Sequence, residues 1–171
     1  MVLDDRPLTR YAKSPDEVSV AYQVTGDGPL DLVLPPTNAT PIDLGWDAPS
    51  FVRFARRLRG FSRTVKCEAR GIGASGGTFQ DRFDDEIVDA DLTAVLDAVG
   101  CDRVALVGFS DGGPVVIRYA VTHPERVTAL VLINTYAHNV REDDYPWGVP
   151  RDLLDRFAAS TRSMPGATCR Y

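Results

Sequence analysis

Residues 104–107, VALV, form an unbroken apolar run that passes directly into GFSDGG and then into the helical stretch PVVIRYAVTH. A short strand with no polar side has to be covered on both faces, which is the situation of a central strand in a parallel sheet. The rest of the chain repeats the pattern. Residues 18–24, VSVAYQV, alternate apolar and polar side chains and end at Gly26-Asp27-Gly28, as a half-buried strand and its turn do. LDLVLPP (30–36) is a second apolar run, stopped by two prolines. Residues 49–59 set Phe51, Phe54, Ala55 and Leu58 on one helical face, with Pro49 at the start and Gly60 at the end, their favoured places. SRTVKCEA (62–69) reads as a strand entering RGIGASGG. Residues 84–100 space Val88, Leu92, Val95, Leu96 and Val99 as a helix whose acids crowd the first turns. VTALVLIN (127–134) is the last clear strand, followed by a weak helix in PRDLLDRFAAS. Strands alternating with helices at this spacing predict an α/β fold with a mostly parallel sheet flanked by helices.

The composition narrows the class. Hydrophobic residues make up 44% of the 171 positions and charged residues 25%, enough for one sizeable core and too little bias for disorder. The expected division is a core over residues 1–158 and a poorly packed tail over 159–171, where STRSMPGATCRY loses periodicity. A net charge of −5 makes the chain a poor partner for phosphate backbones, so nucleic-acid binding is not expected. No apolar run approaches about 18 residues, and MVLDDRPLTR has no leader-like apolar centre, so neither a membrane span nor a signal peptide is read. Cys67, Cys101 and Cys169 are odd in number and far apart, which fits a reducing cytoplasm better than a disulfide framework or a zinc site. No metal or cofactor is expected.

GFSDG matches G-x-S-x-G in the strand–turn–helix context that gives this motif its meaning. The sharp turn lifts the Ser110 hydroxyl above the sheet edge, while Gly108 and Gly112 leave room for the strand and helix to cross. The start of the following helix aims backbone N–H groups, Asp111 first, at a developing oxyanion. The alternative is that Ser110 is an ordinary N-cap in a glycine-rich turn.

With these motifs in place, residues 11–157 resemble the α/β-hydrolase superfamily, in its esterase and epoxide-hydrolase-like branch. AYQVTGDGP resembles the family's second strand and turn, and LDLVLPPTN occupies the oxyanion-loop position. CEARGIGAS is similar to D-x-R-G-x-G-x-S, GFSDGG follows, and HPERVTALVLIN resembles the step into the sixth strand. The phrasing is nearest to hydrolase-like domains that precede adenylate cyclase domains in some bacterial proteins. The resemblance implies an α/β-hydrolase fold acting on ester or similar acyl substrates. Ser110 would be the nucleophile, and the Asp111 and Thr37 backbone N–H groups would hold the oxyanion. Two positions depart from the family: Pro35-Pro36 replaces the usual glycine-containing oxyanion loop, and Glu68-Ala69 replaces the aspartate segment.

In the family the catalytic acid and histidine follow later strands, whereas this sequence stops at Tyr171, just past the sixth. The expectation is therefore a fold truncated there, with an incomplete triad. Of the two histidines, His123 reads as a helix-terminal loop residue, and His138, shortly after the last strand, is the candidate base. The second functional reading is a non-catalytic module that binds a small ligand near Ser110 and regulates a signalling partner such as an adenylate cyclase. Arg53, Arg56 and Arg57, with Arg59 and Arg63 nearby, read as a solvated helix face. Asp81, Asp84, Asp85, Glu86, Asp89 and Asp91 read as helix-start acids, and RGIGASGG lacks a phosphate-loop lysine. With no strand character downstream, the edge Val127 to Ile133 is expected to support self-association.

Overall fold

Asp84 and Gly100 bound the longest helix. The Asp84 carboxylate accepts the N–H groups of Glu86 and Ile87, and Gly100 closes the far end with φ 70°, a conformation glycine adopts without steric cost. Between them α2 (Asp85–Val99) buries Val88, Leu92, Val95 and Leu96 on one stripe. The structure is a computed structural model describing residues 6–36, 41–78, 81 and 84–162, with side chains of the last helix described through residue 156.

The remaining elements follow the expected alternation: β1 (Arg10–Lys13), β2 (Ser19–Thr25), β3 (Leu30–Leu34), α1 (Pro49–Leu58), β4 (Ser62–Cys67), β5 (Val104–Phe109), α3 (Gly113–Thr122), β6 (Val127–Ile133) and α4 (Arg151–Arg162). The strands form one mixed sheet in the order β1-β2-β4-β3-β5-β6. β2 runs antiparallel to both β1 and β4, whereas β4, β3, β5 and β6 are mutually parallel. β1 is new relative to the sequence reading. Its four residues bury only Ala12, too short an alternation to register.

Val33, Val65 and Leu106, from the three central strands, are fully buried on the face covered by α2 and α3, where they meet Leu92, Val95, Leu96, Val116 and Tyr119. Leu32, Ala105 and Val107 point to the opposite face, against Leu34 and Leu58. Each fully buried aliphatic side chain contributes about 1.5–3 kcal/mol of transfer free energy. This packing makes the C-terminal end of β5 a rigid platform for the turn that leaves it.

The chain divides into two compact units, Met1–Thr135 and Tyr136–Tyr171. The first holds the sheet and α1–α3. In the second, isolated bridges join Val140 to Val149 and Glu142 to Tyr145, and α4 carries an Arg156–Asp152 pair at 2.9 Å. The α4 backbone stays helical through residue 162; residues 163–171, including Pro165, Gly166 and Cys169, lie outside the described residues. Among the described residues no helix is long and apolar enough to cross a membrane.

The two described thiols sit in the core. Cys67 is 3% exposed and Cys101 1%, and burial pushes them up to about 12 and about 11 respectively. A thiol must ionise and be reached before it reacts. In a Cys169→Ser background the native chain is therefore expected to give almost no colour with a disulfide reagent at pH 8, and two equivalents once denatured. Rapid native reaction would mean that the core over these residues opens readily.

Candidate active site

β5 delivers Ser110. Its last residues lead into a single 3-10 turn, Ser110–Gly112, and then directly into α3. Reversing from strand to helix in so few residues forces Ser110 to φ 52°, in the left-handed region. An L-residue loses about 1–2 kcal/mol there, and such strain persists only where the surroundings impose it. An N-cap residue has extended backbone. Ser110 does not: it is left-handed, and its backbone is not that of an N-cap.

Packing supplies the constraint. A Cβ on Gly108 would lie 2.5 Å from Val116 Cγ2 and 2.9 Å from the Gly113 Cα, so the strand and α3 can cross only where that side chain is missing. A Cβ on Gly113 would fall within 2.7 Å of the Thr135 Cβ. Thr135 in turn donates its hydroxyl to the Ser110 carbonyl, tying the elbow to the residues that follow β6. The sequence reading assigned the crossing to Gly108 and Gly112. Gly112 is buried, but Gly113 and Thr135 form the second clamp. Thr135 carries no motif signal, because its partner is 25 positions away.

Ser110 and Asp111 are both half-buried. The Asp111 N–H is the first after Ser110 and lies in the first turn of the helical segment, where the backbone dipole favours negative charge. Thr37, the other expected oxyanion donor, lies outside the described residues. Pro36, just before it, lines a cavity of about 50 Å³ together with Asp111, Cys67, Arg70 and Asp91.

Glu68 is an anchor. It is 4% exposed, and its carboxylate accepts the N–H groups of Ile42 (2.6 Å), Ala74 (2.7 Å) and Ser75 (2.9 Å), joining the loops after β3 and β4. Burial raises its carboxyl above the usual range despite these bonds. Gly73, with φ 50°, is needed beside it, since a Cβ there would come within 2.8 Å of the Glu68 Cδ.

Asp91 requires a correction. It is not a helix-start acid in solvent but a buried partner of Arg70, at 2.7 Å from Nε and 2.8 Å from Nη2. Arg70 also reaches Asp16, and the Ser14 hydroxyl donates to Asp91 at 2.6 Å. Four other described acids of that run have structural partners: Asp81 accepts from Thr78, Asp84 caps α2, Asp85 pairs with Arg118, and Asp89 holds His123, while Glu86 is exposed in the first turn of α2. Among the described residues no group of three or more His, Cys, Asp or Glu side chains is placed to hold a metal ion.

His123 stands at the C-terminal end of α3, and a ten-residue helix carries it about 15 Å from the elbow. Its Nε2 lies 2.7 Å from Asp89 and its ring stacks on Tyr119. It is not the base for Ser110. His138 belongs to the second unit, where its ring packs 4.1 Å from that of Tyr145. Arg53, Arg56 and Arg57 are exposed on α1, as the solvated-face reading expects. Arg63 is not part of that face: it grips Asp31 at 2.6 Å.

The alpha/beta hydrolase fold profile matches residues 58–164. A pimeloyl-[acyl-carrier protein] methyl ester esterase from Nitrosomonas europaea is 33% identical over 140 residues, covering 81% of this chain and 50% of that protein. Among solved structures, an esterase from Exiguobacterium antarcticum superposes with a TM-score of 0.79 at 21% identity, over 94% of this chain and 58% of the other. An esterase from a Rhodococcus species superposes with a TM-score of 0.65 at 28% identity, over 81% and 50%. The chain thus spans about half the length of the relatives it matches.

Proposed function

The chain belongs to the α/β hydrolase fold family, and from that footing we propose that it carries the nucleophile half of a serine hydrolase site for carboxylic esters. The observation that supports this reading most is Ser110 held at φ 52° between β5 and α3. Nothing in the core requires a serine in that strained position, whereas a nucleophile that must project from the sheet edge does. The ester class rests on the methyl ester esterase and the esterases among the relatives.

In the reaction, the Ser110 Oγ attacks the ester carbonyl carbon while its proton passes to a base. The carbonyl oxygen takes the negative charge, held by the Asp111 N–H and, in this proposal, that of Thr37. Collapse expels the alcohol, which takes the proton from the base, and water then releases the acid from the acyl-serine. With His123 committed to Asp89, the base within this sequence would be His138; otherwise it comes from outside these 171 residues.

A fluorophosphonate probe tests the proposal, because it labels only an activated serine. The expected result is covalent labelling that maps to Ser110, is lost in Ser110→Ala and is unchanged in His123→Ala. Loss in His138→Ala would identify that residue as the base, and retention would assign the base elsewhere. A folded chain that takes no label would overturn the reading of these 171 residues as self-sufficient, with His138 as base; a chain that stays unlabelled when the missing half is supplied would overturn the hydrolase reading itself. It would favour the alternative of a non-catalytic ligand-binding module, which Pro36, a residue with no N–H in the oxyanion loop, already supports.

A further inference from the structure

The Ser110 carbonyl is held from two directions. The Gly113 N–H bonds it from within the turn, and the Thr135 hydroxyl donates to it from the chain beyond β6. Parallel register brings that second donor into place. Phe109 of β5 lies beside Ile133 of β6, so Ser110 and Asn134 are the next residues out on the neighbouring strands. Both are left-handed, at φ 52° and 46°. Each strand therefore leaves the sheet through a turn of the same hand, and Thr135 arrives against the start of α3. Gly113 makes room for it, since a Cβ there would collide with the Thr135 hydroxyl.

The chemical consequence lies at the other end of the same peptide. The Ser110 carbonyl and the Asp111 N–H share one planar trans unit, so they point in opposite directions. Fixing the oxygen fixes the line of the N–H. We propose that Thr135 is a positioning residue for the oxyanion donor: its hydroxyl anchors the Ser110 carbonyl and so keeps the Asp111 N–H directed at the carbonyl oxygen that gains charge. This role rests on the reading of Ser110 as the nucleophile. The bond from Gly113 does not set the plane alone, because 3-10 hydrogen bonds are poorly aligned. A second bond from outside the turn removes the remaining tilt. A donor aimed before the reaction starts spends nothing on reorganisation during it.

Thr135→Val removes the donor and keeps the branched side chain, whereas Thr135→Ser keeps the donor. In the 18.7 kDa chain the carbonyl carbon resonance of Ser110 is expected to move upfield in the valine variant, with a shift of the Asp111 amide. Both signals should return toward wild type in the serine variant. They report on the peptide whether or not the chain takes a probe. With a fluorophosphonate, the maximal labelling rate at Ser110 should fall about three- to tenfold in Thr135→Val, the scale of one neutral hydrogen bond. The probe concentration for half that rate should stay the same, because the donor acts on the transition state. Thr135→Ala, which sets no new atom against Gly113, replaces the valine variant if that one melts early. Unmoved resonances would overturn the proposal, as would equal labelling rates with and without the donor. A rate lost equally in the valine and serine variants would assign the effect to packing and overturn it too. A wild type that stays unlabelled with the rest of its site supplied is instead the failure of the nucleophile reading.

Discussion

Asp91→Ala is expected to cost about 3–5 kcal/mol, because it strands a buried guanidinium. Arg70 is 3% exposed at its side chain and Asp91 8%, and the carboxylate meets the guanidinium through two of its nitrogens. The partners left to Arg70 after the substitution are Ser14 and Asp16, and Asp16 is 53% exposed and solvated. The pair joins the turn after β1, the loop after β4 and the middle of α2, so its loss loosens three segments together. Against a typical total stability of about 5–15 kcal/mol, the variant is expected to lose about 6–20 °C in Tm, at about 2–4 °C per kcal/mol for a chain of this size. Asp97→Ala is the control. Its pair with Arg126 is short, 2.8 Å, but Asp97 is 62% exposed, so the expected change is within about 1 kcal/mol. Thermal melts followed by circular dichroism separate the two. Equal, small shifts would mean that the buried pair does not hold these segments.

The contrast between Asp91 and the rest of the site marks where sequence reasoning stops. Most of the local structure was legible. The β5–elbow–α3 unit, α2 with Asp84 and Gly100 at its ends, and the stop at Gly60 follow from periodicity and end preferences, because the interactions that fix them lie within a few residues. The illegible part acts at a distance. Ser14 and Asp91 are 77 positions apart and Glu68 and Ile42 are 26 apart. A buried acid and a solvated one look alike in a string of letters. For the same reason Glu68 read as a departure from the family pattern, although its carboxylate bonds three backbone N–H groups and supports the loop beside the cavity. β1 failed for a different reason: four residues with one buried side chain carry too little pattern. The candidate site divides in the same way. Ser110, Asp111 and Gly108 were readable from the motif, while Thr135, which bonds the Ser110 carbonyl, became visible only with the fold.

Replacing Ser110 with glycine and with alanine should separate its chemistry from its strain. Both variants lack the hydroxyl, so both are expected to lose probe labelling and ester hydrolysis by at least about a thousandfold, the scale on which serine hydrolases depend on their nucleophile. Stability should divide them. Alanine keeps a Cβ at φ 52° and keeps the left-handed penalty of about 1–2 kcal/mol. Glycine removes that penalty and gives back about 0.5–1 kcal/mol through the freedom of its unfolded chain. The glycine variant should therefore be the more stable of the two by about 0.5–1 kcal/mol, which urea titrations of both variants can resolve. If glycine brings no gain while labelling is lost in both, Ser110 is still the nucleophile but its backbone is not strained. If labelling survives in either variant, another residue is the nucleophile and the elbow only shapes the turn. Activity lost and stability recovered, found together, would show a serine held in a costly conformation for its hydroxyl alone.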